Sequence, residues 1–466
     1  MIEKCKVQEP HTEPEQRWLS QWKKNQPQFN ALAASALIFI SGGMSIAWGA
    51  GFAAHSSHRQ RLTLHMQICW YGAAILGSII GAQLSYRVAQ RPVYILGSCL
   101  VLSCGLLFVL FPDHSIAIIV GRYMDGLANG LVFVPTLCSV GEISVYSMRG
   151  MHSAWLDQLS CNLGMLLQLL YTALWCTEWN ASIVADQVHG VLSLMCGITA
   201  LGLTMILCVE SPIYLLLRHN ERTAVQAIRY LQSPYLVTSE TCLQLDEHKH
   251  YVTSNRKLSR SRSLLIGLPA LIKLSIFRIL NALTLTLVIW SALHETGRGL
   301  AEYIHTWPYV LFGSLRFLGS LCGAVLMDST GRKKPTLVGA LTSGGLALSY
   351  AMICHCEQFT SSALAMLICF QFFAGLTLTA SSVYLTEAFP LSAKSHFVAI
   401  TYILELGTRM MFTLPSSYAG TVMYFYGMGG IFLVFFLLAI LSLPETKMIT
   451  LMEAQEKFRK LFHFKL

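Results

Sequence analysis

Arg278, Glu405 and Arg409 each interrupt an otherwise apolar run, as do Asp125 and Asp157. A charge held at bilayer depth costs about 3 kcal/mol or more when unpaired, so such residues normally face a partner or a water-filled cavity. Glu405 and Arg409 are four residues apart. They meet on one face of a helix and can pair, which leaves Arg278 a cation without a counter-charge. Asp125 is expected to pair with an arginine such as Arg122 or Arg316, with proton relay as the alternative. Gln158 and Asn162 place two amides on one helix face, and Gln168 follows in the same run. Amides both donate and accept, which suits a solute rich in hydroxyl groups; buried helix contacts would explain them equally well. This chemistry is noncovalent. The sequence has no phosphate loop, nucleophile arrangement or metal-ligand spacing, so no enzyme, cofactor or metal is expected.

The elements that position these residues must be membrane spans. The chain of 466 residues is 54% hydrophobic and 12% charged, against roughly a quarter charged in a soluble domain. Its apolar residues come in runs of roughly 20, the length that crosses a hydrocarbon core as helix. Spans are predicted near 31–54, 65–86, 92–111, 115–140, 151–177 and 187–208, then near 268–291, 304–327, 335–355, 361–386, 396–418 and 421–443. The chain divides accordingly: 1–30 a cytosolic N-terminus, 31–208 a six-helix bundle, 209–262 a cytosolic helical linker, 263–443 a second six-helix bundle, and 444–466 a cytosolic C-terminus. Twelve spans put both termini on one side, and the basic loops Arg87–Arg91, Arg149, Arg332–Lys334 and Lys394 then fall in the cytosol. That distribution accounts for the net charge of +9; the partner it implies is a lipid bilayer, not nucleic acid. Asn180 heads a glycosylation sequon in a predicted outer loop. The fourteen cysteines are scattered without ligand-like spacing and read as packing residues.

Glu210–Arg262 is the one long polar run inside the chain. Within it, Ile213, Tyr214, Leu216 and Leu217, then Ala224, Ala227, Ile228 and Leu231, recur at helical spacing between charges. The basic stretch Arg256–Arg262 directly before span 7 reads as an anchor facing anionic lipid. The halves on either side match each other. Gly81–Tyr86 closes span 2 as Gly323–Asp328 closes span 8, and each is followed by a basic loop and a proline, Pro92 and Pro335. This is the mark of duplicated bundles.

The segment Asp328-Ser-Thr-Gly-Arg-Lys-Lys334 resembles the span 8–9 loop of the major facilitator superfamily. Gly121-Arg122 with Glu142 and Arg149-Gly150, Glu210-Ser-Pro212, Glu387-Ala-Phe-Pro390 and Pro444-Glu-Thr-Lys447 resemble, in order, four further signatures of its sugar porter family. The short first outer loop, and Trp70 before Gly77 and Gly81, are most similar to the insect facilitated trehalose and glucose transporters. The resemblance implies an all-α membrane protein in which two six-helix bundles rock about a central site, carrying a sugar by uniport as a plasma-membrane monomer. It implies a cytosolic gating network of Arg91, Glu142, Arg149, Glu210, Asp328, Arg332, Glu387, Lys394 and Glu445, with the carboxylates facing the cations. Solvated charges that merely set topology are the alternative.

The departures from the family pattern fall at the site. Where the family carries paired glutamines in span 7, this chain has Arg278 and Ile279, followed by Asn281 and Thr284. Ser382 replaces the family's span 10 tryptophan, and the polar positions of span 11 fall on Glu405 and Arg409. With Gln158 and Asn162, these are the implied substrate-binding residues. Three readings stay open: a sugar site using charged donors, a site for a charged organic solute, or a structural ion cluster in a non-transporting, sensor-like paralogue. Tyr86, Ala89 and Gln90 replace most of the Asp-x-x-Gly-Arg loop after span 2, so that half of the gate is expected to be weaker. Span 1 has serines but no acid, which favours uniport over proton symport.

Overall fold

The computed structural model describes residues 14–50, 63–175, 184–298, 306–357, 361–413 and 418–461. The membrane helices of the first half are α1 (Ala33–Gly49), α2 (Leu64–Leu84), α3 (Gln90–Leu110), α4 (Ser115–Ile143), α5 (Arg149–Ala154, a π-helical turn Trp155–Leu159, then Ser160–Trp175) and α6 (Ala185–Leu207). Those of the second are α7 (Arg260–Leu283, then Leu287–Arg298), α8 (Trp307–Ser329), α9 (Lys333–Glu357), α10 (Ser361–Leu378, then Ala380–Glu387), α11 (Leu391–Met411) and α12 (Tyr418–Ser442). Among the described residues, nine helices are long and apolar enough to cross a membrane, ten if Trp22–Asn30 and Ala33–Gly49 form one bent span. The other two crossings, α5 and α11, are those that charges interrupt: α5 turns around Asp157, and α11 carries Lys394, Glu405 and Arg409.

The halves repeat one packing scheme. In the first, α2 meets α4 so closely that a Cβ on Gly130 would lie 2.0 Å from the Ala74 carbonyl oxygen. In the second, α8 meets α10 equally closely: a Cβ on Gly319 would lie 2.0 Å from the Phe372 carbonyl oxygen. With no hydrophobic drive between helices in lipid, small residues that bring backbones together supply the packing.

The polar stretch forms three helices, Pro212–Leu217, Glu221–Tyr230 and Ser239–Arg256, which Ser211, Asn220 and Thr238 cap at their N-termini. They and the terminal helix Leu451–Arg459 cover one end of the bundle, the linker face. Ile213, Tyr251 and Leu451 pack there with Leu391 of α11. Asn255 Oδ1 accepts the Leu391 N–H at 3.0 Å, and Gln455 donates to the Phe389 carbonyl at 2.7 Å. The linker is thus fastened to the start of α11. Several boundaries move: α11 runs Leu391–Met411 rather than near 396–418, and α7 begins at Arg260 rather than near 268, because Ser259 accepts the Arg262 N–H and starts the helix within the basic stretch.

Candidate functional site

Arg278 lies at the centre of the interface between the halves, 1% exposed. It is not the lone cation the sequence suggests. Its guanidinium bonds Asp157 of α5 with Nη2 and donates to Glu405 of α11 at 3.1 Å with Nη1. The π turn in α5 carries Asp157; such turns insert one residue and re-aim side chains. Glu405 also accepts from Asn281 at 2.7 Å and from Arg409 at 2.8 Å, the pair expected from their spacing. Ser382 of α10 donates to Asp157 at 2.6 Å. Arg316 of α8 joins the network, bonding Asn281 Oδ1 at 2.7 Å and Thr284 Oγ1 at 2.9 Å. Sequence reasoning assigned Arg316 only as a partner for Asp125; a buried arginine in an apolar run was the available signal.

Two arginines, Arg278 and Arg409, therefore meet two carboxylates, and a third, Arg316, reaches the cluster through Asn281 and Thr284. Gln158, Asn162, Asn281, Glu405 and Arg409 line a cavity of about 30 Å³ at this level. That is room for about one water. Arg278, Thr284 and Ser382 stand behind the lining. Asn162 donates across the halves to Ser320 at 2.8 Å. Nε and Nη1 of Arg409 meet no acceptor among the described residues. Gln168 is a helix contact: it bonds Thr172 and His189 inside the first half.

Asp125 forms no ion pair among the described residues. Its oxygens accept from Ser41 of α1 at 2.6 Å and from Trp70 of α2 at 2.7 Å. Arg122 instead bonds the Met66 and Ser45 carbonyls and stacks on Trp48. The expected pairing of Asp125 with Arg122 or Arg316 is corrected accordingly. Backbone carbonyls already satisfy Arg122, and Arg316 is held by Asn281 and Thr284.

At the linker face the two halves exchange charges crosswise. Glu142, ending α4, meets Lys394 at the start of α11 at 3.3 Å; Arg149, starting α5, meets Glu387 at the end of α10 at 3.6 Å. Arg332 adds a contact to Glu387 at 3.3 Å, and Asp328 accepts the Met151 N–H at 2.8 Å. Tyr86 donates its hydroxyl to Glu142, and Ser211 donates to the same carboxylate at 2.6 Å. The loop expected to weaken this half of the implied network therefore supplies a donor of its own.

Two expected gating acids do other work. Glu210 pairs with no cation among the described residues. It accepts the backbone N–H groups of Gln90 at 2.8 Å and Arg91 at 3.2 Å, at the start of α3. Glu445 accepts those of Arg332 and Lys333, both at 3.1 Å, at the start of α9. Each carboxylate caps a helix N-terminus, where orphan N–H groups and the macrodipole favour an anion. The Arg91 guanidinium likewise pairs with no carboxylate among the described residues; it donates to the Met205 carbonyl at 2.7 Å. Asn180 lies outside the described residues.

Two bundles of six crossing helices, closed crosswise at one end around a buried polar centre, define a membrane carrier rather than an enzyme. The chain belongs to the sugar (and other) transporter family, whose model matches residues 30–458. It is similar to the mouse solute carrier family 2 facilitated glucose transporter member 8, 24% identical over 57% of this chain and 52% of that protein. It is also similar to the Arabidopsis thaliana D-xylose-proton symporter-like 2, 24% identical over 83% of this chain and 80% of that protein. Among solved structures, the proton:xylose symporter XylE bound to 6-bromo-6-deoxy-D-glucose superposes with a TM-score of 0.72 at 18% identity, over 92% of this chain and 99% of that one. This likeness establishes the major facilitator fold.

Proposed function

We propose that the chain moves a neutral sugar down its gradient by alternating access, as a plasma-membrane monomer with the linker face and both termini in the cytosol. The observation that carries this reading is the crossed exchange of charge, Glu142 with Lys394 and Arg149 with Glu387. Such pairs hold one face shut and release when the bundles rock. Family membership supplies the solute class. The polar centre lies where α5, α7, α8, α10 and α11 meet, and its amides and charged donors suit hydroxyl groups. A cavity of about 30 Å³ holds no sugar, so entry requires the Arg278 bridge between Asp157 and Glu405 to move.

Uptake into reconstituted vesicles tests this reading. Neutral sugar uptake that saturates and ignores a pH gradient is expected. Asp125 lies against α1 and forms no ion pair among the described residues, so proton coupling is the competing mechanism; acid-stimulated uptake abolished by Asp125→Asn would overturn uniport. A second reading has a specific observation behind it: three buried arginines gather at a centre holding two carboxylates, Arg316 touching neither of them, and Nε and Nη1 of Arg409 meet no acceptor among the described residues. It takes the solute to be an organic anion. Uptake of anions alone, lost on Arg409→Gln, would replace the sugar assignment.

A further inference from the structure

A cavity much larger than the central one lies away from the centre. A cleft of about 500 Å³ opens on the linker face between α2, α7, α11 and the end of the linker. Arg87, Arg256, Arg260 and His396 line it, and no aspartate or glutamate does. The Arg256 guanidinium is engaged with the Leu217 carbonyl at 2.8 Å. Arg87 and Arg260 are exposed, and their guanidinium groups bond no acceptor among the described residues. Gathering like charges around a concave surface raises their mutual repulsion unless an anion fills it. Ser392 adds a hydroxyl to the same wall.

The position of the cleft identifies the anion. Arg260 opens α7, and the helix then exposes Leu264, Leu265 and Leu268, at 45%, 67% and 41%. Exposed leucines on a membrane helix face lipid, so the basic rim lies at headgroup level. A soluble anion could use the arginines but not the leucines; an acyl-linked phosphate uses both. We propose that this cleft binds the phosphorylated headgroup of an anionic membrane lipid, with its acyl chains lying along Leu264. Its walls come from both bundles. Ala82 and Arg87 follow the first half, Arg260 and Ser392 the second. Separation of the bundles at this face pulls the walls apart, so the bound headgroup holds the face closed. A ligand that binds one state shifts the population toward it.

The test uses the full chain in phosphatidylcholine nanodiscs with and without a phosphoinositide. Binding is read by lipid titration, and closure by maleimide labelling of a cysteine placed at Ser139, beside the Glu142 gate, in a cysteine-depleted background. The lipid should bind and slow labelling. Arg87→Ala/Arg260→Ala should weaken binding about tenfold or more, since each basic residue at the surface contributes on the order of 1 kcal/mol. Ser392→Glu, which puts an anion in the cleft while both arginines remain, should also displace the lipid and restore fast labelling. Arg222→Ala/Arg229→Ala, on the exposed linker, should change neither. An equal loss in that control would show general surface attraction and overturn the proposal. Full competition by a soluble inositol phosphate would assign the cleft to a free anion and overturn the lipid assignment. Unchanged labelling despite binding would overturn the closure.

Discussion

Arg278 of α7 and Asp157 of α5 form a buried ion pair across the two bundles, at the level where the central cavity opens. Because Arg278 also holds Glu405, one guanidinium ties the first half to α11. The bundles cannot rock about this level without breaking the tie or carrying it to one side. The central cluster is thus a contact between halves, and Asp157, Asn281, Glu405 and Arg409 within it also line the central cavity.

The two roles separate experimentally. Arg278→Gln leaves Asp157 buried without its cation and Glu405 with Arg409 alone, and breaking a buried pair in this way costs about 3–5 kcal/mol. A large drop in the thermal unfolding temperature of the purified protein is expected, with loss of uptake. The double variant Arg278→Gln/Asp157→Asn removes both charges of the pair and should recover much of the stability. Uptake should stay lost if the pair belongs to the transport cycle. Full uptake by the double variant would reduce the pair to a structural contact.

The crossed pairs at the linker face make a second prediction. Lys394 and Glu142 are each 1% exposed or less, so their interaction is little screened by salt. Lys394→Met should bias the population toward a linker-face-open state, raising maleimide labelling of Cys138 from that face by about tenfold, the size of an ordinary coupling between states. Cys138 is suited to this because it is buried beside Lys394, whose ammonium donates to its carbonyl at 2.9 Å. The readout requires a background without the other cysteines. Unchanged labelling would leave these charges as markers of topology.

Glu445 and Glu210 should behave as caps. Glu445→Gln retains an acceptor but loses the charge, so about 1 kcal/mol of stability at the first turn of α9 is expected to be lost. Hydrogen exchange at Arg332 and Lys333 should rise about fivefold. Gly331 makes the geometry possible: its φ is 101°, and a Cβ there would lie 2.5 Å from Glu445 Oε2. Gly331→Ala should therefore cost more than Glu445→Gln. Equal effects would mean that the left-handed backbone at Gly331 contributes nothing to the cap.

The sequence made the scaffold legible because lipid constrains it tightly. Runs of apolar residues, basic loops on alternate ends and the repeated Gly81 and Gly323 segments carry the fold at one-dimensional resolution. The Glu405–Arg409 pair was legible for the same reason, being fixed by helical spacing. Contacts between distant helices were not. Asp157 could not be assigned to Arg278, because a π turn shifts the α5 register by one residue and nothing in the spacing announces it. Tyr86 looked like a lost residue of the implied network, yet its hydroxyl bonds Glu142 from a backbone with a positive φ of 62° that the sequence does not announce. Glu210 and Glu445 were expected to meet cations, but composition does not distinguish a side-chain partner from a backbone N–H.

The linker carries the pH-sensitive prediction. His248 in Ser239–Arg256 sits in a groove with Arg149, Glu247, His250, Tyr251, Glu453 and Glu456. Burial, and secondarily the Arg149 charge, lower its pKa to about 4 from the ordinary 6.5. In the released helix the imidazole would take a proton below about pH 6.5; in the seated helix it stays neutral down to about pH 4. The released form therefore binds more protons in that window. Seating is fully stable above the ordinary value and weakens as pH falls toward the lowered one. Glu247 opposes this in part: burial raises its pKa, so protonation favours its seated form. The histidine shift is expected to dominate between about pH 7 and pH 5, the range around the ordinary imidazole value. Hydrogen exchange of residues 239–256, corrected for the intrinsic pH dependence of the chemistry, should show protection falling across that range. His248→Gln should flatten the response, while His250→Gln should leave it intact. A profile that His248→Gln leaves unchanged would place the titrating group elsewhere in the groove.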